Sequence, residues 1–316
     1  MKHLFIIDPF SLLQAGHDSS LAMMKEAILL GHKVFQAELK DIFWSDNLVK
    51  ANTREVKILA SGGLISNGEY KQIDLGLDAD LAVWMRKDPP VDEKYIQVCQ
   101  LFRLSKAKVI NNPDSLLACD EKLFALEFPD LMPKNIITQS ITEIKSLIQS
   151  HNQLIAKPIG GKAGEGILLL RHDDKNLSSI LELITQSGQR KIILQEYLPS
   201  SREGDKRIFL LAGNPIGAIL RVPKSDDHRA NMAAGGSVQK TNVTEEEQAI
   251  CNILKPRLLE LGLIIVGLDV IGNKLTEINI TSPTGLEEIA KLDGTNPARE
   301  IMNWSVHFAR GWHFNI

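Results

Sequence analysis

The chain has 316 residues, 44% of them hydrophobic and 24% charged, with a formal net charge of −3. This is an ordinary globular composition with room for two or three subdomains, and it lacks the basic excess expected if nucleic acid or a membrane surface were the main partner. Three scattered cysteines, Cys99, Cys119 and Cys251, with no CxxC motif and no apolar run of spanning length, predict a cytoplasmic protein with reduced thiols.

Residues 2–8 read as a buried strand. Asp18 is a good N-cap for a helix over 19–30 that stops at Gly31, and a second strand follows over 33–39. This βαβ start predicts a parallel sheet, and the absence of GxGxxG argues against a dinucleotide site. Residues 45–79 are polar and glycine-rich, predicting connections and short strands. A strand over 81–85 runs into Arg86-Lys87-Asp88-Pro89-Pro90. Loops at the carboxyl ends of parallel strands carry ligand sites, so Arg86 is either an anion contact or a solvated loop charge. A helix over 92–106, a strand over 108–111 and a helix over 114–126 complete the first unit.

Residues 130–134 read as a linker, followed by a strand at 136–138, a helix at 142–149 and a strand at 154–159 containing Lys157. The loop Gly160-Gly161-Lys162-Ala163-Gly164-Glu165-Gly166 then joins two strands, unlike a Walker A loop, which joins a strand to a helix. Its glycines let backbone N–H groups approach a polyphosphate, so it reads as a phosphate lid in preference to a plain hairpin tip. A helix over 177–187 and a strand over 191–198 follow. Strands over 205–211 and 215–222, turned by Gly213-Asn214, carry Arg207 and Arg221 on their outer parts. Residues 223–238 form a long polar loop, predicted mobile, and Thr244 with Glu247 makes a capping box for a helix over 245–261 kinked at Pro256.

Val266–Thr284 reads as a hairpin flanking Gly272-Asn273-Lys274. A two-residue loop would place Asp269 on the face opposite Glu277, whereas a three-residue loop sets the two directly across from each other. The second arrangement gathers Asp269, Glu277 and Asn279 on one face, an all-oxygen set suited to Mg²⁺ and phosphate. The bland alternative is a pair of exposed acids. The apolar flank 263–266 argues for burial, and buried facing carboxylates need a cation. A helix over 297–310 closes the chain.

A lysine before a glycine loop, arginines on a second strand pair and a metal face on a third suit ATP-driven activation. The ordered segments Met85–Pro90, Asn111-Asn112-Pro113, Glu121-Lys122-Leu123-Phe124, Lys157-Pro158, Gly204–Arg207, Ala233–Gly236 and Val266–Thr284 resemble those of the bacterial glutathione synthetase family, within the ATP-grasp superfamily. The resemblance implies an α/β protein with an N-terminal parallel-sheet domain, followed by a two-lobed ATP-grasp fold with antiparallel sheets. The implied units are 1–120, a lid subdomain 121–200 and a catalytic subdomain 201–316. It implies a ligase that joins γ-glutamylcysteine to glycine with ATP and Mg²⁺ (or Mn²⁺), as a homo-tetramer of small-molecule partners only.

By the same resemblance, Lys122 and Lys157 contact the ATP phosphates, and Gly160, Gly161, Gly164 and Gly166 form the lid. Gln195, Glu196 and Leu198 border adenine, and Asp205 lies near the ribose. Arg207 and Arg221 face the transferring phosphoryl group; Asp269, Glu277 and Asn279 hold the metal. Arg86, Arg229, Ser282 and Thr284 meet the peptide carboxylates. The chain departs from the family pattern at Gly160–Gly164, where Asp-Gly-Met-Gly-Gly is expected, and at Ser237 and Glu287, where arginine is expected. The rival readings are a ligase for a different pair of substrates and a nucleotide-binding relative without turnover.

Overall fold

The computed structural model describes residues 1–161, 164–224 and 236–309. Three sheets organise it. The first contains β1 (Lys2–Ile6), β2 (Lys33–Ala37), β3 (Ile42–Ser45), β4 (Leu48–Ile58), β5 (Leu64–Ile65), β6 (Lys71–Asp74), β7 (Leu81–Met85) and β8 (Lys108–Ile110). Its spine runs β3-β4-β2-β1-β7-β8, with β5 and β6 paired to β4. Strands β2, β1, β7 and β8 are parallel, as the βαβ pattern predicts, and β4 runs antiparallel to β2. The connecting helices are α1 (Ser19–Leu29), α2 (Glu93–Leu104) and α3 (Pro113–Ala118). Asp18 caps α1 by accepting from the amides of Ser20 and Leu21.

Two expectations fail here. The polar stretch 45–79 holds the eleven-residue strand β4. Lys50 and Arg54 hide its period: Lys50 is buried and paired with Asp46, and the Arg54 guanidinium stacks on Tyr70. The helix predicted over 114–126 stops at Ala118, and a 3₁₀ turn over Phe124–Glu127 replaces its second half. Asp120 accepts from the amides of Lys122 and Leu123, a local side-chain bond that competes with helix continuation.

The second sheet is β9 (Asn135–Thr138), β10 (Gln153–Pro158), β11 (Leu168–Arg171) and β12 (Ile192–Glu196), in the antiparallel order β11-β10-β12-β9. Helices α4 (Ile141–His151) and α5 (Leu177–Ile184) cover one face, where Ile144, Ile148, Leu154, Leu170, Leu181 and Leu194 form a private core. Phe124, Ala125 and Met132 belong instead to the large core shared by the other two sheets.

The third sheet is β13 (Asp205–Leu211), β14 (Asn214–Val222), β15 (Ser237–Lys240), β16 (Ile265–Ile271) and β17 (Lys274–Asn279), in the order β15-β14-β13-β16-β17. Helix α6 (Glu245–Glu260) begins at the Thr244–Glu247 capping box and runs on through Pro256. Helix α7 (Leu286–Asp293) and helix α8 (Pro297–Ala309) follow, and Ile301 and Met302 pack into one core with Met23 and Met24 of α1. The chain's last described element thus returns to its first unit. Among the described residues no helix is long and apolar enough to cross a membrane.

Asn111 joins the first sheet to the third. Its buried amide donates to the carbonyls of Ile265 and Ile280 at 2.8 and 2.7 Å, and its oxygen accepts from the amides of Ile264 and Ile265 at 2.7 and 2.8 Å. Every hydrogen-bonding position of that side chain is used, as burial requires.

Candidate active site

The hairpin β16–β17 does set Asp269 opposite Glu277, by a different route from the predicted one. Ile271 pairs with Lys274, so the turn has two residues, not three, with Gly272 at φ 62° as its first central residue. The extra residue appears as a bulge: Val270 pairs with Leu275 and Asp269 with Glu277, leaving Thr276 unmatched. The Thr276 hydroxyl donates to the Asp269 carbonyl at 3.0 Å and pins that bulge. Asn279, two residues beyond Glu277, shares its face. Its amide nitrogen donates to the Gly267 carbonyl at 3.3 Å, so its oxygen is the end left for a cation.

The same face continues across the sheet. Arg207 pairs with Asp269 in register, and Asp205 pairs with Arg221. The two arginines lie at the end of the strand pair away from its turn, as expected, and both are buried. Arg207 grips Asp269 with two bonds, Nε to Oδ1 at 2.6 Å and Nη2 to Oδ2 at 3.3 Å, and its Nη1 donates to the Thr284 carbonyl at 3.1 Å. Arg221 lies 2.5 Å from Asp205 and 3.0 Å from Asp269. Burial alone would raise the Asp269 carboxyl, but Arg207 and Arg221 outweigh it and hold it below the usual range. Burial pushes Asp205 up to about 6, against the pull of Arg221.

The second sheet faces this one across a cleft of about 240 Å³. Lys157 projects from β10 on the face shared with Ile155 and, across β12, with Gln195. Lys157 makes no ion pair among the described residues, and burial lowers its ammonium from the ordinary value, with Glu277 opposing. Lys122 joins the two sides: its Nζ donates to the Gly161 carbonyl at 2.5 Å and lies 3.0 Å from Glu277 Oε1. In the glycine loop, Gly160, Gly164 and Gly166 take φ of 74°, 74° and 70°, a region that disfavours any side chain. Gly161 and Gly164 line the cleft, while Gly160 and Gly166 border the loop's other side, toward Ile184 and Arg190.

Gln195, Glu196, Leu198, Asp205, Ser282 and Thr284 all reach the cleft. Arg86 does not line it. Its guanidinium is buried, donating from Nη2 to the Pro283 carbonyl at 2.8 Å and from Nε to Ser20 Oγ at 3.2 Å. Its bond to Pro283 braces the turn, and burial lowers the guanidinium from its ordinary value. Arg229 lies outside the described residues, as do Lys162 and Ala163 of the predicted lid and Ser225–Gly235 of the long polar loop.

An all-oxygen set of two carboxylates and one amide fits a hard divalent cation completed by phosphate oxygens. Among the described residues no three of His, Cys, Asp and Glu come together to hold a metal, so Asn279 is needed as third donor. The cations Lys122, Lys157, Arg207 and Arg221 surround the space where anionic oxygens would sit.

Family models place this arrangement. The model for the prokaryotic glutathione synthetase N-terminal domain matches residues 1–116, and that for the prokaryotic glutathione synthetase ATP-grasp domain matches residues 121–294. The chain belongs to the prokaryotic glutathione synthetase family. It is 44% identical to the glutathione synthetase of Gloeobacter violaceus, covering 98% of both chains, and 42% identical to that of Thermosynechococcus vestitus, covering 96% of this chain and 99% of the relative. The glutathione synthetase of Nitrosomonas europaea is 40% identical over 94% of this chain and 95% of its own. Among solved structures, D-cycloserine synthetase DcsG superposes with a TM-score of 0.68 at 13% identity, over 97% of this chain and 99% of that one. The ATP-grasp ligase PsnB, complexed with a minimal precursor, gives 0.62 at 16% identity, over 97% and 98%. The fold is therefore the ATP-grasp fold.

Within that family frame, the sequence reading missed several lining residues: Glu121, Ile155, Ile167, Tyr197 and Thr281. Period two on β10 could have found Ile155, which lies two residues from Lys157. Glu121 had no such signal, because its role depends on residues more than 150 positions away.

Proposed function

We propose that this cleft joins γ-glutamylcysteine to glycine at the expense of ATP, giving glutathione, ADP and phosphate. The observation that carries the reading is the convergence of Lys122, Lys157, Arg207 and Arg221 with the Asp269, Glu277 and Asn279 face in one cleft between two sheets. The cysteinyl carboxylate attacks the γ-phosphorus of ATP and ADP leaves. The glycine amine then attacks the acyl phosphate carbonyl, loses a proton, and phosphate departs. Two anions must meet in the first step, and the four cations lower that barrier by offsetting charge on the transferring group.

Lys122 and Lys157 bind the ATP phosphates under the glycine loop, which excludes water from the acyl phosphate. Gln195, Glu196 and Leu198 edge the adenine, and Asp205 stands toward the ribose. Arg207 and Arg221 steady the transferring phosphoryl group. Asp269, Glu277 and Asn279 would hold Mg²⁺ or Mn²⁺, which would supply charge neutralisation on the phosphate oxygens. Ser282 and Thr284 meet the peptide carboxylates, and by the family resemblance Arg229 is a further candidate for that role. No side chain is needed as a nucleophile; positioning and electrostatics carry the rate. A homo-tetramer is part of the same reading and is checked by sedimentation.

Phosphate release measured with γ-glutamylcysteine, glycine, ATP and Mg²⁺ tests the assignment. Glycine-dependent release is the expected result. Release only with another donor or acceptor would move the substrate assignment, and ATP binding without release in any mixture would overturn the ligase reading.

A further inference from the structure

Strand β17 is an edge of the third sheet, so one row of its backbone donors has no neighbouring strand. Glu121 fills that role at the site end. Its backbone carbonyl accepts from the Ile278 amide at 3.2 Å. Its Oε1 accepts from the amides of Ile280 and Thr281 at 2.8 and 2.9 Å, and from the Thr281 hydroxyl at 2.8 Å. These donors bracket Asn279 on both sides and fix the start of the turn to Ser282 and Thr284. The next residue, Lys122, reaches Glu277 and the glycine loop.

We propose that Glu121 is a positioning residue for the ligase reaction, setting Asn279 and the 281–284 turn in their working geometry through its carboxylate clamp on Ile280 and Thr281. The proposal rests on the ligase reading above and adds a residue to it. Three donors converge on one carboxylate oxygen, a cluster that an amide oxygen only partly replaces. The clamp acts through Asn279 and the turn. Its hydrogen bonds run to Ile278, Ile280 and Thr281 on the third-sheet side of the cleft, and none goes to the Gln195–Leu198 edge.

The test compares the full-length chain with Glu121→Ala, Glu121→Gln and Thr281→Val. Mn²⁺ affinity is read by electron paramagnetic resonance with a non-hydrolysable ATP analogue present, alongside kcat, the KM for each substrate and the melting temperature. Glu121→Ala is expected to weaken Mn²⁺ binding and lower kcat by about tenfold or more, with the KM for ATP held within about threefold. Glu121→Gln, which keeps an acceptor oxygen, recovers part of both losses, and Thr281→Val shows a smaller loss of the same kind. A folded Glu121→Ala protein with wild-type Mn²⁺ affinity and kcat would overturn the proposal, even if it melted lower. If that variant does not fold, unchanged values in both Glu121→Gln and Thr281→Val would overturn it equally. A wild-type chain that fails to turn over γ-glutamylcysteine with glycine would sink the substrate reading instead, and the Mn²⁺ comparison would still decide the role of Glu121.

Discussion

Asp269 and Glu277 face each other, yet substituting them releases different charges. Among the described residues Glu277 is paired only with Lys122, which keeps a second partner in the Gly161 carbonyl. Asp269 is the shared counter-ion of two buried guanidiniums. Glu277→Gln should therefore lower turnover by about a hundredfold or more while leaving stability nearly unchanged. Asp269→Asn should lose a similar factor in turnover and also about 3 kcal/mol of stability, because Arg207 and Arg221 keep their burial and lose a partner. Steady-state kinetics and denaturant unfolding separate the two; equal stability of both variants would contradict this account of Asp269. Away from the site, His3 makes a pH prediction. Trp84 Nε1 donates to His3 Nδ1 at 3.1 Å, so the proton sits on His3 Nε2, which donates to His32 Nδ1 at 2.9 Å. Burial, helped by His32, lowers His3 from 6.5 to about 3. Between those values the unfolded chain binds a proton that the folded chain refuses. Its stabilising contribution is complete above pH 6.5 and is lost as the pH falls, at up to about 1.4 kcal/mol per pH unit. Unfolding free energies from pH 7 to pH 4 should show a shallower decline in His3→Gln than in the wild type, and parallel curves would refute this.

At the scale of elements, the junction between the first and third sheets depends on one side chain that both donates and accepts. Asn111→Asp keeps the size and the acceptors but cannot donate to Ile265 and Ile280, and it buries a charge. It should destabilise the chain by about 3 kcal/mol or more, as much as Asn111→Ala, whereas a surface asparagine such as Asn252 should tolerate aspartate within roughly 0.5 kcal/mol. Urea unfolding of the three variants checks this; an Asn111→Asp protein near wild-type stability would contradict it. The same contrast between local and remote partners explains what the sequence made legible. Helices α1 and α6 could be read because Asp18 and the Thr244–Glu247 box cap them from adjacent positions. Helix α7 could not, because its opening amides, Gly285 and Leu286, are capped by the Ser19 hydroxyl from the far end of the chain. The Asp269–Glu277 pairing was legible, but the bulge at Thr276 that produces it was not, since either a longer loop or a bulge absorbs one extra residue. Arg86 was read as an anion contact or a solvated loop charge, and it is buried instead: loop position marks its strand end without showing that Ser20 and Pro283 enclose it.

The molecule as a whole holds its catalytic charges against one another. Lys122 sits on Glu277, and Arg207 and Arg221 sit on Asp269. On the proposed metal site, a divalent cation arriving alone would enter beside three positive side chains already neutralising Asp269 and Glu277, at a cost in Coulomb energy in a buried site. A nucleotide changes that balance. In the proposed reading its phosphates would offer the lysines and arginines alternative anions and would give the cation further oxygen ligands. The second sheet, with its own private core, carries Lys157 on the opposite wall of the cleft. Metal and nucleotide should therefore bind with positive coupling. Mn²⁺ is expected to bind at least about tenfold more tightly in the presence of a non-hydrolysable ATP analogue, and saturating Mn²⁺ should raise affinity for the analogue by the same factor. Lys122→Met gives the sharper check. Removing the cation from Glu277 should strengthen binding of Mn²⁺ alone, so the coupling factor shrinks by the same amount in whichever order the two are added. Calorimetric titrations in each order measure all four affinities. A wild-type Mn²⁺ affinity indifferent to nucleotide would mean that the ion pairs across this cleft do not compete with the metal.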